Sequence, residues 1–428
     1  MSKPMLNKLS IFTQAVHAGE RGPRPDFTPV VTPIYNSVGY LYDSMDQLDA
    51  VFAAEREGYV YPRFGTPTNA ALERAVATLE GGEAALSFAS GMAAIHAALL
   101  ATGLEAGQAL RLGSGHALRL GSGYAVVAAQ DVYGATYALL SNLFTGLGVA
   151  VRFVDIADLA SVERAIVEEK PKAIFCEVIS NPLLKVADVP AVAELAHAHG
   201  AEMIVDSTFA TPYLTRPLTL GADYVVHSST KYLGGHGDVL GGVVVTSAER
   251  RKRLWELIKM TGGNLGPNQA WLTMRGLKTL PLRMVQHCRN AAAVADWLAE
   301  HPRIAKVNYP GLPSHPQHPV ATRLFRDDCY GGMISFEIAG ANRAKVFRFM
   351  EALKLILPAT TMGDVYSLAL YPAHSSHRAL SPEERAAIGI GEGLVRLSVG
   401  IEDVEDIIAD LDQALEQTLR LGSGQVGM

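Results

Sequence analysis

Six short β-branched runs alternate with amphipathic segments across the middle of this chain, and that alternation restricts the fold more than any other feature. The runs are YAVVAAQ, VAVRFVD, KAIFCEV, EMIVDS, DYVVHSS and GGVVVTS. Between them stand patterns such as DLASVERAIVEE and DVPAVAELAHAHG. Strands that are apolar on both faces have to be covered on both faces. The pattern therefore predicts an α/β fold with a mostly parallel central sheet between helical layers. In such sheets ligands sit at the carboxyl ends of the strands. Asp206 and the segment from Ser228 to Lys231 each follow a run directly, so both are expected at that edge.

The rest of the chain has a different texture on either side. Residues 1–65 are rich in proline and aromatics, as in FTPVVTPIYNSVGY and YVYPRFGTPTN, and read as an arm that packs on something else. From 66 the stretch TNAALERAVATLEGG predicts a helix of about 11 residues that stops at a glycine pair. Residues 66–280 form the expected large domain. Beyond 280, RNAAAVADWLAEH, RAKVFRFMEAL and VEDIIADLDQALEQ read as helices around strands such as GGMISFEIAG and GLVRLSVG, so residues 281–428 are expected to be a smaller α+β domain. The hexapeptide LRLGSG occurs twice at 109–124 and again at 419–424. Gly-Ser-Gly is linker chemistry, which points to a duplicated linker or cloning scar inserted at about 108–123. Phosphate contact by those glycines is the other reading.

A net charge of -6 over 428 residues gives nucleic acid and anionic membrane no electrostatic support as partners. The three cysteines, 176, 288 and 329, are too scattered for a disulfide framework or a thiolate metal site, and read as two core residues and a loop thiol. No apolar leader precedes a small-residue cleavage site, and no run reaches the roughly 18 apolar residues of a membrane span. The expected location is the cytoplasm. His315 and His318 of HPQH read as loop residues, and no metal is expected.

The chemistry lies in residues that the pattern brings to one sheet edge. Ser90 and Gly91 of FASGMAAIHAALLAT open a helix whose free N–H groups suit an anion such as phosphate. DVYGATY sets the ring of Tyr133 beside a glycine, and SNP and VDSTFATP add Asn181, Asp206 and Thr208 at successive strand ends. Lys231 stands between SST and a glycine string. GLVRLSVG puts Arg396 in an apolar strand, where a guanidinium requires an anionic partner: an internal carboxylate, or the carboxylate of a substrate. Together these groups match the needs of pyridoxal 5'-phosphate (PLP): a lysine amine for its aldehyde, a carboxylate for its pyridine nitrogen, an aromatic face and phosphate donors.

The motifs DYVVHSSTKYLGGHGD, YVYPRFGTPT, SFASGMAAI, DVYGATY, VDSTFATPYL, MRGLKTLPLRM and GEGLVRLSVGIEDVEDI resemble, in order, those of the Cys/Met-metabolism family of PLP enzymes. That resemblance implies an aspartate-aminotransferase-like, fold type I architecture and an enzyme. It implies that Lys231 binds PLP and later shuttles protons, that Asp206 pairs with the pyridine nitrogen, and that Tyr133 stacks and acts on the leaving group. Gly91, Met92, Ser228 and Thr230 would hold the phosphate, with Thr208 and Asn181 beside the ring. Arg396 would clamp the substrate carboxylate, with Thr361 also at the substrate. Tyr61 and Arg63 would reach the neighbouring active site of a homodimer or homotetramer.

Departures from the family pattern are Ser207 and Thr66 in place of Asn, EVISNP without a Ser-Pro pair, and Ala135 where methionine γ-lyases carry cysteine. The three positions that hold the distal charged end of cystathionine in related enzymes are Val60, Ala138 and Thr360 here, which disfavours cystathionine as substrate. The implied reaction is γ-elimination or γ-replacement, with methionine γ-lyase chemistry first and O-acetyl- or O-succinylhomoserine sulfhydrylase or cystathionine γ-synthase as alternatives. A catalytically silent PLP-binding protein is a more distant one. A dinucleotide oxidoreductase would need G-x-G-x-x-G after the first strand, and GGHGDVLGG has neither that spacing nor that position.

Overall fold

All six apolar runs are five-residue strands, joined by a seventh. The computed structural model describes residues 28–103, 124–375, 378 and 381–418, without the side chains of residues 384 and 387. The LRLGSG copies, the 108–123 insertion and the first 27 residues of the expected arm lie outside these described residues. Residues 28–33 carry no helix or strand. Residues 34–428 make a compact unit of their own.

In chain order the strands of the large sheet are β1 (Ala84–Phe88), β2 (Ala125–Ala129), β3 (Ala150–Val154), β4 (Ala173–Glu177), β5 (Glu202–Asp206), β6 (Tyr224–Ser228) and β7 (Gly242–Thr246). Their spatial order is β1-β7-β6-β5-β4-β2-β3. Strands β2 to β6 pair in parallel, and only β7 runs antiparallel to its neighbours β6 and β1. Every residue of β2, β4 and β7 is buried, because helices cover both faces. β1 escaped the sequence reading: AALSF has no β-branched residue, and it follows a helix after only a glycine pair and Glu83.

The helix expected over about 11 residues runs from Pro67 to Glu80, 14 residues. It starts earlier because Pro67 occupies its first position and the Thr66 hydroxyl caps the Asn69 N–H, and it stops as expected, at Gly81 with φ 72°. The helix Gly91–Thr102 is capped by Ser90 and rich in alanine, so it packs closely against β6 and β7.

After the 21-residue helix Leu280–Glu300 comes a second sheet, of five strands. These are β8 (Ile304–Asn308), β9 (Met333–Ile338), β10 (Leu357–Pro358), β11 (Leu368–Leu370) and β12 (Leu394–Ser398), in spatial order β10-β11-β12-β9-β8. Among the described residues no helix is long and apolar enough to cross a membrane. Cys176 and Cys288 are buried and Cys329 is partly buried, all three as free thiols.

Candidate active site at the carboxyl edge of the large sheet

Glu177, Asp206 and Ser228 are the last residues of β4, β5 and β6, so three neighbouring strands end in polar groups at one edge. The helix Gly91–Thr102 begins there after β1, and Tyr133 stands there after β2. These groups line a cavity of about 200 Å³, to which Asn181, Thr208, Thr230, Lys231 and, from β12 of the second sheet, Arg396 also contribute. Thr361 reaches the same place through Lys231.

Lys231 sits on a turn pinned at both ends: its N–H donates to Ser228 O at 3.1 Å and its carbonyl accepts from Gly235 N–H at 2.8 Å. Gly235 has φ +73°, and a Cβ there would lie 2.1 Å from a nitrogen of Arg283, so this turn admits no side chain. The amine Nζ donates to Thr361 Oγ1 at 3.0 Å. Burial, and then the nearby Arg396 cation, push the ammonium below the ordinary lysine range, while Asp364 acts the other way. The result is an amine more readily neutral than a surface lysine, which a nucleophile or base requires.

Asp206 Oδ1 accepts the Thr208 N–H at 2.9 Å, and Thr208 Oγ1 in turn accepts the Ser228 N–H at 2.8 Å, so three consecutive site residues are tied together. Burial raises the proton affinity of the Asp206 carboxyl, against the Thr208 bonds and the influence of His227. Beside it stands Glu177, which sequence reasoning missed. Its signal was legible, since AIFCE ends in an acid just as EMIVD does.

Gly91 lies so close to Ser228 that a Cβ at 91 would be 2.8 Å from the Ser228 Cβ. At this helix start the Ala93 N–H is capped by Ser90 Oγ and the Ala94 N–H bonds to Ser90 O, each at 3.1 Å. The Gly91 and Met92 N–H groups find no acceptor among the described residues and stand beside Ser228 at the cavity wall. That is a donor set for an anion. The Thr230 hydroxyl, by contrast, is occupied with the backbone of Gly241, at 3.3 and 3.1 Å.

Arg396 is only 4% exposed and has no carboxylate partner among the described residues. It donates to Asn181 Oδ1 at 3.0 Å and to the Thr361 carbonyl at 3.2 Å, and its Nε is left without a partner. Burial pushes its pKa down to about 10. A buried cation held only by neutral acceptors, with Nε and further N–H donors unspent, is built for an anion from outside. The internal carboxylate considered from sequence is not there.

Tyr133 is 45% exposed at the mouth. Tyr61 and Arg63 are not brought to this cavity. Arg63 donates to Lys259 O at 3.0 Å, and its guanidinium lies 5.5 Å from the Tyr61 ring.

The donors fit PLP group by group: an unspent helix terminus for its phosphate, a buried carboxylate for its ring nitrogen, and an amine of lowered proton affinity for its aldehyde. The family model described as Cys/Met metabolism PLP-dependent enzyme matches residues 12–416. The chain is 42% identical to an L-methionine gamma-lyase of Fusobacterium nucleatum subsp. nucleatum over 96% of its length and 99% of that protein's. It is 44% identical to an L-methionine gamma-lyase of Pseudomonas putida, over 96% of this chain and 98% of that one. Among solved structures, cystathionine gamma synthase from Xanthomonas oryzae pv. oryzae, in complex with aminoacrylate and cysteine, superimposes with a TM-score of 0.81 at 37% identity, covering 91% of this chain and 93% of that one.

Proposed function

Because this chain belongs to the Cys/Met metabolism family of PLP-dependent enzymes, with PLP as its cofactor and a fold type I architecture, we propose that it is a γ-lyase acting on methionine. The overall change is methionine plus water to 2-oxobutanoate, ammonia and methanethiol. The observation that carries this reading is the likeness, over nearly the whole length of both chains, to L-methionine gamma-lyases. The residues agree with it: Val60, Ala138 and Thr360 carry no charge for the far end of a substrate, and of these Thr360 lines the cavity wall.

When bound, PLP supplies an electron-withdrawing ring that stabilises negative charge developing beside the substrate's amino group. The protein does the rest. Gly91 and Met92 N–H groups with Ser228 would hold the cofactor's phosphate and Asp206 its ring nitrogen, while Asn181 orients Arg396. The Arg396 guanidinium binds the substrate carboxylate and fixes which Cα bond is presented. Lys231 Nζ would accept the Cα proton, and Tyr133 at the mouth would give a proton to the departing sulfur.

We include in the proposal a cytoplasmic homodimer or homotetramer, divided into an arm (1–65), a large domain (66–280) and a small domain (281–428). Tyr61 and Arg63, which lie outside their own subunit's cavity, would complete the neighbouring one. The arm suits this: Val38, Leu41, Met45 and Phe52 are 63% to 79% exposed, a run of apolar surface a lone chain leaves in water. A second reading, γ-replacement on an O-acylhomoserine, is favoured by the likeness to a cystathionine gamma synthase.

Purified protein loaded with PLP should release 2-oxobutanoate and methanethiol from methionine. Release of neither, together with sulfhydrylation of O-acetylhomoserine by sulfide or formation of cystathionine from cysteine and O-succinylhomoserine, would replace the first reading by the second.

A further inference from the structure

Glu177 and Asp206 are register partners on adjacent parallel strands. Residues paired in this way have side chains on the same face, about 4.8 Å apart at the backbone. Both line the cavity, and neither is ion-paired among the described residues. The Glu177 carboxyl oxygen Oε1 accepts the Tyr133 N–H at 2.6 Å. One side chain thus holds the loop that carries Tyr133. Two buried acids at paired positions disfavour each other's ionised form, so a proton on one of the pair is favoured.

We propose that Glu177 is a positioning residue with two tasks: it anchors the Tyr133 loop, and it keeps its own proton, so that Asp206 is the anion of the pair.

The surroundings assign the proton. Around Asp206 stand the Thr208 N–H and hydroxyl and the imidazole of His227 on β6, all of which favour its ionised form. Around Glu177, burial first and then the acids Asp206 and Asp131 push its carboxyl well above the ordinary range, against the bond from the Tyr133 N–H. Cys176 adds no compensating charge, because burial drives its thiol up as well. The neutral acid therefore falls to Glu177, and its Oε1 remains free to accept the Tyr133 N–H.

This inference rests on assigning the cavity to PLP, and the test separates the two. Wild-type protein that binds no PLP would end that assignment, whereas the following comparisons bear on Glu177 alone. Infrared difference spectra of the wild type at neutral pH should contain the carbonyl band of a buried protonated carboxylic acid, and Glu177→Gln should remove it. Because glutamine resembles the neutral acid, Glu177→Gln should bind PLP within about threefold of wild type. Glu177→Ala should bind it about tenfold or more weakly, the scale of one hydrogen bond lost. Absence of the acid band in wild type, its survival in Glu177→Gln, or loss of PLP affinity in Glu177→Gln to the level of the alanine variant would overturn the proton assignment. Wild-type affinity in Glu177→Ala would overturn the anchoring. If the alanine variant does not fold, the glutamine variant and the infrared band still decide.

Discussion

Replacing Arg396 by leucine separates a substrate clamp from a structural arginine, because the two roles move activity and stability in different directions. The guanidinium is buried and touches only the Asn181 amide oxygen and the Thr361 carbonyl. Its pKa falls from 12.5 to about 10 through burial, which corresponds to a charging penalty on the order of 3 kcal/mol carried by the folded protein at neutral pH. Leucine removes that penalty and leaves two acceptors short of a donor, at about 1 to 3 kcal/mol each. The two effects nearly offset, so thermal unfolding of the apoprotein should change by only a few degrees. Catalysis should not be spared. Two charge-assisted bonds to the substrate carboxylate, at about 1.5 to 3 kcal/mol each, make a loss of roughly a hundredfold to ten-thousandfold in kcat/KM. PLP should stay bound, since Arg396 is not in the phosphate cradle. Steady-state kinetics with methionine, the visible spectrum and a melting curve make up the assay. Unchanged kcat/KM with a large drop in melting temperature would refute the reasoning and leave Arg396 a structural residue.

The remaining expectations concern the arm and a buried histidine. Neither Arg63→Ala nor Lys231→Ala should turn over methionine, yet mixed and reassembled oligomers of the two should regain part of the activity, because some cavities receive an intact Lys231 and a neighbour's intact Arg63. No recovery, with mixed oligomers demonstrated by mass spectrometry, would mean that Arg63 acts within its own subunit or not at all. His287 donates through Nδ1 to Val399 O at 2.7 Å, and burial lowers its pKa to about 4. The unfolded chain then binds this proton between pH 6.5 and about 4 while the folded chain does not, so stability should be lost as pH falls through that window. In His287→Gln, urea unfolding should depend less steeply on pH there, and an unaltered slope would show that other groups set it.

The large sheet was legible because doubly covered strands are continuous apolar runs, and β2 to β7 announced themselves in that way. β8 (IAKVN) did not, because it lies at a sheet edge and is polar, and β10 and β11 have two and three residues. Asp206 was legible from its place after a strand, and Arg396 from the contradiction of a cation in an apolar run. The cap of the Pro67–Glu80 helix stood in the sequence as Thr-Pro and was passed over. Asp364, fully buried near Lys231 and without a side-chain partner for either oxygen, lies on a loop with no periodic signal. No local pattern could have placed it. The roles proposed for Tyr61 and Arg63 depend on a second copy of the chain, which neither periodicity nor the fold of one subunit reveals.

The central claim is that Lys231 carries the cofactor, and reduction tests it most directly. Borohydride treatment of the PLP-loaded protein, followed by proteolysis and mass spectrometry, should find the pyridoxyl group on the peptide containing Lys231 and on no other lysine. A label on a different lysine, or yellow protein in which reduction leaves every lysine unmodified, would contradict the account.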